Sequence, residues 1–179
     1  MKKILYIHGF QSCGEGQKSS ALKAYFGADY ILAPNLPYAP LEAIEFLKDL
    51  IKKEGITLLI GSSLGGFYAT YLAESLKMSA ILINPATIPF ITLERHLGWK
   101  ERFCDGNKFE VTLDYLNQLK DLKVKPKEGK YLVSLQSDDE VLNYKDAQEL
   151  YVNQRIILEY GGNHRFENIE DYFSMIERF

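Results

Sequence analysis

The sequence predicts an α/β fold built on a doubly wound, mostly parallel sheet of six strands. Three observations predict it: short continuous apolar blocks, helical patterns alternating with them, and a Gly-x-Ser-x-Gly turn joining one such pair. The blocks Ile4-Leu5-Tyr6-Ile7, Ala80-Ile81-Leu82-Ile83 and Ile156-Ile157-Leu158 lack the in–out alternation of a half-exposed strand. Such blocks suit parallel strands covered on both faces, and the intervening helices supply the cover.

Taken in order, residues 3–8 read as the first strand, 17–26 as a helix and 29–33 as the second strand. Three prolines hold residues 34–40 extended. Residues 40–54 form the clearest helix, with Leu41, Ile44, Leu47, Leu50 and Ile51 on one face. Pro40 suits its first turn and Gly55 stops it. Residues 56–60 are the third strand, 64–77 a helix and 79–84 the fourth strand. The last two strands are 130–136 and 155–160, followed by helices at 143–151 and 168–179 that each open on an asparagine cap. Between 85 and 127 the rhythm breaks. One helix is expected near 112–122, while Ile88, Phe90, Leu93, Trp99 and Phe103 show no strand or helix period. Long connections in compact domains are functional or disordered, and the aromatic content argues against disorder. Residues 85–127 are therefore read as a lid-like insertion within one domain spanning 1–179.

Composition narrows the function. A net charge of −3 with 46% hydrophobic and 25% charged residues is that of an ordinary globular protein. No basic stripe suits nucleic acid, and no apolar run reaches the ~20 residues of a membrane span. The apolar run near the start ends at His8, too short for a secretion signal. Cys13 and Cys104 lack metal or redox spacing and read as free thiols in a reducing cytosol, so a cytoplasmic protein is expected. Three dispersed histidines offer no metal-ligand spacing; neither metal nor cofactor is expected.

The chemistry concentrates at Gly61-Ser62-Ser63-Leu64-Gly65, entered from a strand and left by a helix. This is the nucleophile-elbow pattern, whose central serine is Ser63; Ser62 reads as a packing residue. A serine hydroxyl needs a base, and the base an orienting acid. For this elbow the chain order is serine, acid, histidine. His164, in Gly161-Gly162-Asn163-His164 after the last strand, is the base almost by elimination: His96 lies in the insertion, and His8 ends the first strand in a His-Gly that resembles an oxyanion loop, where the histidine would support the loop. Asp138, Asp139 and Glu140 follow the fifth strand, and only one of them can serve the histidine. The backbone N–H groups of Phe10 and Leu64 are the expected oxyanion donors. Trp99 and Phe103 are the candidate walls of a substrate pocket.

These segments together resemble the α/β-hydrolase superfamily, and within it the small bacterial esterases of the YqiA type. The resemblance rests on Tyr6-Ile7-His8-Gly9-Phe10, residues 61–70, Asn84-Pro85-Ala86, Asp139-Glu140-Val141-Leu142 and Gly161-Gly162-Asn163-His164. It implies Ser63, Asp139 and His164 as the catalytic residues. Asp139 is favoured over Asp138 because Asp-Glu-Val-Leu looks like the hydrolase pattern. It further implies a cofactor-free esterase or thioesterase acting on a small-molecule acyl substrate, with six strands in the order 2-1-3-4-5-6. Two alternatives stay open: a non-catalytic interaction module on the same fold, and a carbon–carbon hydrolase or lyase using the same triad. No oligomeric state is assigned.

Overall fold

The computed structural model describes residues 2–179. Along the chain run β1 (Ile4–Ile7), α1 (Gln17–Phe26), β2 (Ile31–Leu32), α2 (Pro40–Glu54), β3 (Leu58–Ser62), α3 (Leu64–Leu76) and β4 (Ser79–Ile83). Then follow α4 (Pro89–Thr92), β5 (Gly98–Glu101), β6 (Lys108–Val111), α5 (Leu113–Asp121), β7 (Lys130–Gln136), α6 (Tyr144–Leu150), β8 (Arg155–Glu159) and α7 (Phe173–Arg178). The main sheet has six strands in the order β2-β1-β3-β4-β7-β8, every neighbouring pair parallel. This is the expected doubly wound sheet, with β7 and β8 as the fifth and sixth predicted strands.

The continuous apolar strands make sense because successive side chains leave opposite faces of a sheet. Leu5, Ile7, Leu59, Leu82 and Val133 pack on one face with α2, α3, α5 and α6. Ile4, Tyr6, Leu58, Ile60 and Ile81 pack on the other with Leu22 of α1 and Phe173 and Ile176 of α7. Each strand thus feeds two cores, and a polar substitution on either face would bury an unpaired group. β1 and β3 are central neighbours, with β2 beyond β1 and β4 beyond β3. Ligands of open α/β sheets gather at this reversal of strand order, beyond the carboxyl ends.

The insertion is more regular than its sequence suggested. β5 and β6 form an antiparallel hairpin, and β6 alternates exposed Lys108 and Glu110 with buried Phe109 and Val111. Thr112 caps α5 by accepting a hydrogen bond from Tyr115 N at 3.1 Å. Phe109, Val111, Tyr115, Leu116 and Leu119 join the core under α2 and α3. Strand and helix periods are therefore present here, diluted by the exposed tip between them.

Other expectations are corrected. A 3-10 turn at Ala28–Tyr30 takes up the start of the second predicted strand, leaving two residues in β2. Asn143 caps α6 through Lys145 N, whereas Asn168 caps nothing and its side chain engages Glu159 and Gln136 instead. Cys13 and Cys104 are not free. They form a disulfide between residues 91 apart in sequence, with a Cα–Cα distance of 6.3 Å. Disulfides persist in oxidising compartments, so the cysteines no longer argue for a reducing one. Among the described residues no helix is long and apolar enough to cross a membrane.

Candidate active site

Ser63 is the single residue between β3 and α3, at φ 55° and ψ −121°. A non-glycine residue is held there only where its surroundings over-determine it. Here they do. Ser63 N–H donates to Ile83 O at 3.1 Å, and its carbonyl accepts from Gly66 N at 2.9 Å and Ala86 N at 3.0 Å. A Cβ on Gly61 would strike the Gly65 carbonyl, and one on Gly65 would strike the Ile7 carbonyl. The two glycines let α3 start hard against β1 and β3. Ser62 is buried beside the elbow, as a packing residue would be.

Three predicted side chains meet. Ser63 Oγ lies 3.0 Å from His164 Nε2, and His164 Nδ1 lies 2.8 Å from Asp139 Oδ2. The carboxylate partner makes Nδ1 the protonated nitrogen, leaving Nε2 to accept the serine hydrogen. Asp139 is almost wholly covered, its side chain 2% exposed. Its other oxygen accepts from Val141 N and Leu142 N, both at 2.8 Å, which fixes the carboxylate plane. Asp138 instead accepts from Ser137 Oγ and makes no bond to the imidazole. Glu140, offered by the sequence only as an alternative acid, accepts from His164 N at 2.9 Å, and that bond holds its carboxyl below the usual range.

The histidine turn is pinned by a polar network that the sequence reading missed. Asn84, buried at the end of β4, donates to Asn163 O at 3.1 Å and accepts from Gln136 N at 3.0 Å. Gln136 accepts from Asn163 N at 2.9 Å and donates to Glu159 and Asn168. Hydrogen bonds from Gln136, Asn168 and Tyr172 keep Glu159 ionised below the ordinary carboxylate range. The available signal was a polar residue closing an apolar strand: Asn84 after β4 and Gln136 at the end of β7.

The β1 loop passes directly against the serine; a Cβ placed on Gly9 would sit 3.2 Å from Ser63 Cβ. His8 shapes this loop. Its Nδ1 donates to Gly9 O at 2.9 Å, and its Nε2 accepts from Leu36 N at 3.2 Å. Burial lowers its pKa and keeps it neutral, as that pairing requires. The N–H groups of Phe10 and Leu64 find no acceptor among the described residues, and both residues line the cavity at Ser63.

That cavity holds about 270 Å³ beside Ser63 and His164, walled mainly by Leu64, Ala86, Pro89, Leu93, Val141 and Leu142, with Arg95 and His96 also in its lining. Phe103 stands at it although 79% exposed. Trp99 does not. It is 68% exposed on β5, over a separate depression lined by Lys100, Glu101 and Lys108, because strand alternation sends it away from the core-facing side of the hairpin. The hairpin is tied to the β1 loop by Gln11 O accepting from Phe103 N, by Gln11 Nε2 donating to Glu101 O (both 2.9 Å), and by the disulfide. His96 packs edge-on against Phe10 with ring centroids 5.4 Å apart.

Compared with known proteins, residues 3–179 match the Uncharacterised protein family (UPF0227). The chain belongs to this family. UPF0227 relatives include the UPF0227 protein YcfP of Escherichia coli strain K12 / DH10B, 24% identical and covering 98% of this chain and 97% of that protein. The UPF0227 protein VP0969 of Vibrio parahaemolyticus is likewise 24% identical, over 98% of each chain. Among solved structures, mouse alpha/beta hydrolase domain-containing protein 10 superposes with a TM-score of 0.79 at 14% identity, over 98% of this chain and 88% of that one. Est1E of Butyrivibrio proteoclasticus with bound ferulic acid gives 0.75 at 15% identity, over 100% and 88%. These UPF0227 residues therefore adopt the α/β-hydrolase fold.

Proposed function

We propose that the protein is a serine hydrolase of carboxylic esters, with thioesters as further substrates, acting through an acyl-enzyme. The observation that carries this reading is the hydrogen-bonded chain Ser63–His164–Asp139, ending on a strained elbow serine. Ser63 Oγ attacks the acyl carbon while His164 Nε2 takes its proton; Asp139 keeps the imidazole in the required tautomer and stabilises its cationic form. The N–H groups of Phe10 and Leu64 receive the developing oxyanion. His164 then protonates the leaving oxygen, and water repeats the sequence to release the acid. The apolar cavity suits a short to medium acyl chain, at about 0.8 kcal/mol per buried methylene. Residues 85–127 act as a partial lid, with Phe103 at the cavity and the hairpin tied to the β1 loop.

The fold alone also admits non-catalytic proteins, so the test is direct. A fluorophosphonate probe should label wild-type protein at Ser63, and p-nitrophenyl butyrate should be turned over. Ser63→Ala should lose labelling and on the order of 10⁴–10⁶ in kcat, while Ser62→Ala keeps both. Equal losses from the two variants, each folded, would remove Ser63 from the reaction.

A further inference from the structure

A second cavity of about 390 Å³ also reaches Ser63 and His164, bounded by the start of α1 and the histidine turn. The first is mostly apolar, with one cation, Arg95, which donates to His96 Nε2 at 3.3 Å, whereas the second carries two. Lys18 and Arg165 stand in its wall, joined by Gln17 and Ser12, and no acidic side chain lines it. Neither cation forms an ion pair among the described residues. Nearby acids are otherwise engaged: Glu15 pairs with Lys23, and the Glu167 carboxylate accepts from Asn163 Nδ2 at 3.3 Å. Burial, and then repulsion from Arg165, lower the Lys18 pKa, with Glu167 opposing them. Arg165 is solvent-exposed and Lys18 half-buried, so the two hold positive charge at the rim of one recess beside the reacting serine, where an anion is attracted.

The two recesses share Phe10, Ser63, Phe103 and His164, so both open on the serine and offer room to either side of an ester placed there. The apolar one accommodates hydrocarbon. The cationic one suits a group with acceptor oxygens, which guanidinium and ammonium bind strongly. Arg165 follows His164 directly in sequence, and His164 delivers its proton to the departing alcohol. We propose that Lys18 and Arg165 receive a phosphate or carboxylate carried on the alcohol portion of the substrate, making acyl esters of small anionic alcohols the preferred class. This rests on the reading of Ser63 as nucleophile. In the reaction, the Ser63 Oγ–acyl bond forms, the acyl–oxygen bond to the anionic alcohol breaks, and the Ser63 proton passes through His164 to the alcohol oxygen. Water later restores Ser63 and yields the acid.

The test compares kcat/KM for four matched esters: butyrate esters of 2-methoxyethanol, glycolate and 2-hydroxyethyl phosphate, and monoethyl glutarate, whose anion is in the acyl part. Wild-type protein should favour one or both anionic alcohols over the neutral one by about 10- to 100-fold, the range of a charge-assisted hydrogen bond. The preference should shrink with added salt. Lys18→Gln and Arg165→Gln should each reduce the anionic-to-neutral ratio by about tenfold. Whichever of the glycolate and phosphate esters is faster identifies the anion. Equal rates for neutral and anionic alcohols, a ratio unmoved by both substitutions in folded protein, or a preference for monoethyl glutarate would each overturn the inference. If the neutral ester is still hydrolysed and Ser63 still labelled, the hydrolase reading survives that failure. Loss of labelling and of all turnover would sink both.

Discussion

The disulfide between Cys13 and Cys104 gives the most exposed prediction, because it links a loop beside the serine to the tip of the hairpin. The perturbation is Cys104→Ser, or reduction of the native protein. A bridge of sequence separation 91 restricts the unfolded chain, and the loop-entropy relation assigns such a restriction about 4.6 kcal/mol at 25 °C. In the folded state its loss should change little, since Phe109 and Val111 stay buried and Gln11 still holds Glu101 and Phe103. The effect should therefore fall on stability and not on local geometry. With a urea m-value of about 2 kcal/mol/M, the unfolding midpoint should drop by about 2 M. The assay is urea unfolding of wild type and variant, each with and without reductant. Reductant should lower the wild-type midpoint to that of the variant and leave the variant unmoved. The chain has only these two cysteines, so alkylation with and without reduction counts the bond directly. Two thiols alkylated in unreduced, denatured protein, or midpoints indifferent to reductant, would refute the reasoning.

Asp139→Asn should cost on the order of 10⁴ in kcat because an amide favours the wrong imidazole tautomer, while Asp138→Asn costs little; p-nitrophenyl butyrate turnover separates them. Phe103→Ala should shift the preferred acyl length in a series of p-nitrophenyl esters, whereas Trp99→Ala, away from the cavity, should leave the profile as it was. His8 has a lowered folded pKa, so the unfolded state binds its proton first as pH falls. Its contribution to stability is complete above the unfolded value of about 6.5 and declines as pH falls from there toward the folded value. Urea midpoints at pH 8 and 5.5 should differ less in His8→Gln than in wild type, and an unchanged difference would mean that His8 does not carry the linkage.

The sequence by itself determined the sheet and the elbow. Both are written in local patterns: apolar blocks of strand length, a helical period at 40–54, and glycines where backbones touch. Ser63 and His164 could be picked out for the same reason, one by its motif and the other by scarcity among three histidines. What the tertiary structure decided involves direction and long-range pairing. Asp138 and Asp139 are adjacent and chemically alike. Only the turn after β7 aims one at the imidazole, with Val141 N and Leu142 N fixing its plane. Glu140, Asn84 and Gln136 hold the histidine turn from segments up to 80 residues away in sequence; the polar strand ends are visible locally, but their pairing with the turn is not. The hairpin period was present in Phe109 and Val111, but four residues of alternation carry little weight without a partner strand. Trp99 and Phe103 looked equivalent as apolar residues of one insertion; strand pleat and the tether to Gln11 put them at different recesses. Two cysteines that looked independent met because the chain returned to the β1 loop. Distances of that kind belong to the folded chain, since composition and spacing carry no information on which distant surfaces come together.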